Sequence, residues 1–162
     1  MRGTGNPIPL ELLLLSAEHL APLDLLALLR ATPGLSRLLT LRHVTRTDAS
    51  GRSILHHLAE EAEEPLMRLI LANKSIAPNP KDCERRTPFW SAAGSGHEAV
   101  VKLLLGRQDV VADSRDSYGD TPLSYAAECG HEAVVELLLD RKDVGADFED
   151  SSGGATLSRP VS

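Results

Sequence analysis

A self-similarity with a period of 34 residues constrains this chain more than any other feature. Thr87 opens TPFWSAAGSGHEAVVKLLL, and Thr121 opens TPLSYAAECGHEAVVELLL. The same shift carries Asp82 to Asp116 and Gly96-His97 to Gly130-His131. Run backwards, it sets Asp82 on Asp48, Thr87 on Ser53, Phe89 on Leu55, Ala93 on Ala59 and Leu103-Leu104-Leu105 on Leu69-Ile70-Leu71. This first copy is eroded, with Ala62-Glu63 standing in place of Gly-His. A fourth begins, Asp150 on Asp116, Gly153 on Gly119 and Leu157 on Leu123, and breaks at Arg159-Pro160. Units of fixed period stack, each burying its apolar face on its neighbours.

Within one copy the local physics is legible. Thr121 caps a helix with its hydroxyl, and Pro122 fits the first turn, where a missing N–H costs nothing. Ala126-Ala127 let a neighbouring helix approach closely. Gly130 supplies the positive φ that ends the helix. His131 opens a second helix whose Val134, Val135, Leu137, Leu138 and Leu139 cover a wide face. Asp116-Ser117-Tyr118-Gly119 is a turn sequence. Each copy therefore reads as turn, short helix, tight turn, longer helix. Aromatics make up only 3% of the chain, so the core rests on Leu, Ala and Val, which suits packed helices.

TPLSYAAECGHEAVVELLL and its partner copy resemble the ankyrin family, whose signature is T-P-L-H-x-A at a period near 33. The resemblance spans about Asp48 to Gly153. It implies an all-α fold, a short ankyrin-repeat solenoid of helix-turn-helix units with hairpin loops. The repeats are expected at 48–81 (degenerate), 82–115 and 116–149, with an aborted fourth over 150–162 that frays after about Asp147, as in a truncated product. The longer period places an extra residue in the Asp109–Ser114 and Asp143–Asp147 linkers. Arg85 stands where the family has its turn glycine, so that hairpin is expected to be distorted. In the family, the hairpin tips and the outer face of the first helix form a concave partner-binding side. Carried over by position, that marks Arg52 and His57, then Arg86 and Ser91, then Tyr118, Asp120, Tyr125 and Glu128. The two tyrosines are the expected anchors. His56 takes the signature histidine position and His57 is expected to face outward. Trp90 replaces that histidine, either packed or exposed.

Residues 1–6 are expected to be disordered, and 7–45 to form a separate helical segment. Its helices are expected over about Leu10–His19 and Leu23–Arg30, with a third opened by Thr32-Pro33 and running through Leu35, Leu38 and Leu39. The string IPLELLLLSAEHLAPLDLLALLRATPGLSRLL resembles the F-box family, which begins L-P-x-E-L and resumes with D-L after a short loop; Ser16 and Ala31-Thr32-Pro33 depart from it. Fungal proteins often join such a box to ankyrin repeats. The resemblance implies docking on the Skp adaptor of a ubiquitin ligase through Ile8, Pro9, Glu11, Leu12, Leu20 and Leu25. The alternative is a plain helical cap on the repeat stack, and an F-box packed on the first repeat would also cap it.

Several function classes are excluded. The formal charge is −6, and the longest basic run is Arg85-Arg86, which disfavours nucleic acid. No apolar run approaches the ~20 residues of a membrane span. The acidic run Glu60–Glu64 reads as a solvated helix end. His97-Glu98 lacks a second histidine at the zinc-protease spacing, where Val101 stands. His97 and His131 lie one repeat apart, ~10 Å, too far to share a metal. Cys83 and Cys129 fall in different repeats and are expected as free thiols. No catalytic, cofactor or metal site is expected. The chain reads as a monomeric, non-catalytic, intracellular binding protein of cytoplasm or nucleus. It is either a target-recruiting adaptor for the ligase or a stand-alone scaffold with a helical cap.

Overall fold

The computed structural model describes residues 19–32, 39 and 41–140, and among these it is all helix and loop. The helices are α1 (Pro22–Ala31), α2 (Leu41–Thr45), α3 (Ile54–Glu60), α4 (Glu64–Leu71), α5 (Pro88–Gly94), α6 (Glu98–Leu105), α7 (Pro122–Glu128) and α8 (Glu132–Leu139). Thr87 and Thr121 cap α5 and α7 by accepting the amides of Trp90 and Ser124. Proline follows each cap in the first turn. Helices of seven or eight residues are too short to hold alone in water, so packing must stabilise them.

That packing forms two rows. α1, α3, α5 and α7 lie side by side as an inner row, and α4, α6 and α8 form the outer row. Ile54, Leu55, Leu58, Phe89, Ala92, Ala93, Leu123 and Ala126 fill the inner contacts, and Met67, Val100, Val101, Leu104, Val134 and Leu138 close the core from the outer row. The second helix expected in the N-terminal segment, over Leu23–Arg30, thus stands in line with the inner helices. Its Leu25, Leu26 and Leu29 are buried in the shared core. Arg30 pairs with Glu61 and Glu63 of the first repeat. The helix expected over Leu10–His19, the one opened by Thr32-Pro33, the frayed end after Asp147 and the fourth copy lie outside the described residues, apart from His19, Thr32 and the buried Leu39.

Polar bonds set the register between repeats. The turns after α3, α5 and α7 put Ala62, Gly96 and Gly130 at φ +57°, +73° and +77°. The eroded first copy keeps this turn because Ala62 takes the left-handed conformation. In each turn, the amide of the next residue reaches back five residues to a helix carbonyl, the bond that closes a helix C-terminus. His97 and His131 then donate Nε2–H to the carbonyls of Glu60 and Gly94 in the preceding repeat, at 2.7 and 2.9 Å. Arg107 donates to the carbonyls of Leu71 and Ile76 one repeat back. Asn79 holds the linker after α6 through the backbone of Asp109 and Val111.

The hairpins repeat one device. Oδ1 of Asp48, Asp82 and Asp116 accepts the amides two and four residues on, each at 2.9 Å. The aspartate's own N–H donates to the fourth residue's carbonyl at 3.0 Å. The residue between needs positive φ, supplied by Gly51 (+74°), Arg85 (+64°) and Gly119 (+94°). The distortion expected at Arg85 is therefore absent. The carboxylate clamp holds an ordinary L-residue in the left-handed region at a cost of about 1–2 kcal/mol. Hairpins are joined by Cys83 N–H to Ser50 O at 2.9 Å and Ser117 N–H to Glu84 O at 2.8 Å.

Two measurements check this description. Arg85→Gly removes the strain and should stabilise the protein by about 0.5–1 kcal/mol in urea unfolding; a lower midpoint would contradict it. His56 Nδ1 accepts the Ser53 N–H, so the proton sits on Nε2 and bonds to Arg86 O. Burial disfavours the charged ring and lowers its pKa from 6.5, against the opposing pull of the Arg86 bond and Asp82. The unfolded chain then binds the proton more readily, so stability is full above that value and declines as pH falls below it. The melting temperature should drop from about pH 7 to about pH 5, and less so in His56→Gln. Equal pH slopes in the two proteins would rule out this role for His56.

Candidate functional site

The inner helices and hairpins present equivalent positions in three rows. The last hairpin residue is Arg52, Arg86 or Asp120. The fourth helical position is His57, Ser91 or Tyr125. One turn further stand Glu60, Gly94 and Glu128. Between the first two repeats and α7 these residues enclose a notch of about 160 Å³, lined by Arg52, Glu60, Arg86, Trp90, Ser91, Gly94, Ser95 and Tyr125.

Each wall of the notch has a physical cause. Tyr125 stacks on Trp90 with ring centroids 4.2 Å apart and an interplanar angle of 26°. Its ring lies directly over Gly94, where a Cβ would come within 2.6 Å of it. Glutamate occupies this position in the other two copies, so only the second copy leaves room for the ring. The Arg86 guanidinium lies 5.4 Å from the Trp90 ring centre, a cation–π contact. Asp82 and Glu84 hold it at 2.9 Å. Burial works against its charge, but the Asp82 bond and the carboxylates of Asp82, Glu84 and Asp116 outweigh that and raise its pKa. The Arg52–Glu60 pair forms the far side. The Cys129 side chain, followed by burial, raises the pKa of the Tyr125 phenol.

The structure brings Arg52, Arg86, Ser91 and Tyr125 together in this notch. Tyr118 stands at the tip of the third hairpin, 71% exposed. Asp120 is half-buried and Glu128 exposed, both on the third repeat outside the notch lining. His57 is corrected. It is 4% exposed and bonds through Nε2 to Asp48 Oδ2 at 3.0 Å, closing its own hairpin. Helical spacing alone suggested an outward face; the clamp aspartate nine residues earlier draws the ring in. Trp90 is packed, at 6% exposure, with no partner for its indole N–H among the described residues. Spacing also missed Glu60 and Gly94, although Gly94 was visible as the small residue between two glutamates at that position.

Among the N-terminal positions, Ile8, Pro9, Glu11 and Leu12 lie outside the described residues. Leu20 packs against the core. Leu25 is corrected as a docking residue: it is 1% exposed, sealed inside this chain's own core. Cys83 sits on a hairpin and Cys129 at the end of α7, both as exposed thiols. Among the described residues, no group of three or more His, Cys, Asp or Glu could hold a metal ion, and no helix is long and apolar enough to cross a membrane.

A family model described as ankyrin repeats (3 copies) matches residues 23–113 and 55–152. No curated protein matches the chain. The matched span reaches from α1 through α8 and agrees with the two-row stack. Ankyrin repeats are in general non-catalytic modules that bind other proteins. The chain belongs to the ankyrin-repeat family and is a protein-interaction scaffold.

Proposed function

We propose that this scaffold holds one protein partner against the concave side formed by the hairpins and by α3, α5 and α7. The supporting observation is the notch, which joins two paired arginines, the stacked rings of Trp90 and Tyr125, and the hydroxyls of Ser91 and Ser95. Aromatic and arginine side chains at the rim of a recess are the usual anchors of protein interfaces. No step of this role needs chemistry from the chain itself.

Of the two cellular roles, the stand-alone scaffold with a helical cap fits the packing of α1 better. Leu25, Leu26 and Leu29 are buried where α1 packs on α3, as in a capping unit of a repeat stack. The ligase-adaptor role rests on the resemblance in Ile8, Pro9, Glu11 and Leu12. A pull-down of the Skp adaptor separates the two. The scaffold role expects no binding, and binding by the full chain that Pro9→Ala with Leu12→Ala abolishes would establish the adaptor.

Photo-crosslinking tests the concave side directly. A crosslinking residue at Ser91 should capture a discrete protein in cells, and one at Lys102 on the outer row should not. Equal capture from both positions would overturn the proposal.

A further inference from the structure

The third hairpin lacks what the first two receive from the repeat after them. A Cβ at Gly51 would come within 2.9 Å of the Cys83 amide nitrogen, whereas one at Gly119 meets nothing within 4 Å among the described residues. The carbonyls of Ser50 and Glu84 accept the amides of Cys83 and Ser117. The equivalent carbonyl, that of Tyr118, accepts no backbone amide among the described residues. Ser53 and Thr87 are fully buried, and Thr87 Oγ1 lies 3.3 Å from Ser114 Oγ in the following linker. Their counterpart Thr121 is half-buried. The stack therefore has an open end on the hairpin side of α7.

The 34-residue register names residues of this chain that fit those places. It carries Val110 to Val144, Ser114 to Phe148, Asp116 to Asp150, Ser117 to Ser151, Gly119 to Gly153 and Leu123 to Leu157. Val110, Ser114, Asp116 and Leu123 are all buried in the third repeat and its linker. Asp150 and Gly153 keep the spacing of each clamp aspartate and its left-handed residue. The ankyrin match itself extends to residue 152. The same register shows where the copy stops. Ala155 replaces the capping Thr121, and Pro160 replaces Ala126 in the middle of α7, where proline breaks a helix. What is encoded is a hairpin without its helices.

We propose that residues 144–157 of this same chain close the open end, as a fourth hairpin seated on the third. Asp150 accepts the amides of Ser152 and Gly154, and Gly153 takes the positive φ without strain. Ser151 N–H donates to the Tyr118 carbonyl. Phe148 lies against Thr121, and Leu157 extends the row of Leu55, Phe89 and Leu123. The short tether from α8 gives the segment an effective concentration on the order of millimolar, which favours it over a second copy. The concave side then runs over four hairpins, with Tyr118 inside it rather than at its rim, and the chain frays beyond Leu157 instead of after Asp147. This holds whichever partner the concave side takes.

Amide hydrogen exchange on the full chain tests it. The Ser151 amide should exchange at least about tenfold more slowly than in an unstructured peptide of the same sequence. Phe148→Asp with Leu157→Asp should abolish that protection and lower the melting temperature by about 3 °C. Val161→Asp, past the hairpin, should change neither. Exchange of Ser151 at the unstructured rate in the parent chain would overturn the inference, and so would equal effects of the two variants. Protection that appears only as protein concentration rises would assign the open end to a second copy and overturn it as well.

Discussion

The stack depends on the way a single aspartate closes each hairpin. One carboxylate oxygen accepts two amides from its own turn, and charge-assisted bonds of this kind contribute about 1.5–3 kcal/mol each. That closure places the next hairpin's amide opposite a free carbonyl, as Cys83 meets Ser50 and Ser117 meets Glu84. It also aims the last hairpin residue, Arg52, Arg86 or Asp120, along the same edge. The second carboxylate oxygen decides what that edge becomes. In the first repeat it draws His57 inward, and in the second it locks Arg86 over Trp90.

Apolar burial supplies the driving force but does not choose between neighbouring registers. The inner contacts mix large side chains such as Phe89 and Leu58 with small ones, and Ala59, Ala92, Ala93 and Ala126 are fully buried. The histidine bonds from His97 to Glu60 and from His131 to Gly94 fix the sliding coordinate on the helical side. The aspartate hairpins fix it on the other. His56 ties both together, since it bonds the cap of its own helix and the carbonyl of Arg86 in the next hairpin.

Much of this was legible in the sequence because a repeat states its own rules three times. The helices, their caps and the glycine turns followed from the 34-residue register, and the candidate surface positions came with the ankyrin resemblance. What escaped depended on atoms rather than spacing. Nothing local marks Arg85 as left-handed; the Asp82 clamp imposes that conformation. His57 is a surface position in helical phase, yet it lies within reach of Asp48. Leu25 fits a docking motif as well as a core position, and only the line of inner helices shows that it is core. The exchange of Arg86 for Asp120 stood in the alignment of the copies, but that Arg86 folds back onto its own hairpin aspartate did not.

Amide hydrogen exchange in Asp82→Ala tests most directly whether the hairpin carboxylate carries the stack. Asp82 makes no direct bond to the amide of Cys83 or Ser117, both of which bond across repeats. Loss of the carboxylate should nevertheless expose both amides to fast exchange, while Val101 and Val134 in the outer helices stay protected. Unchanged protection at Cys83 and Ser117 would show that apolar packing alone sets the hairpins, and would contradict the account.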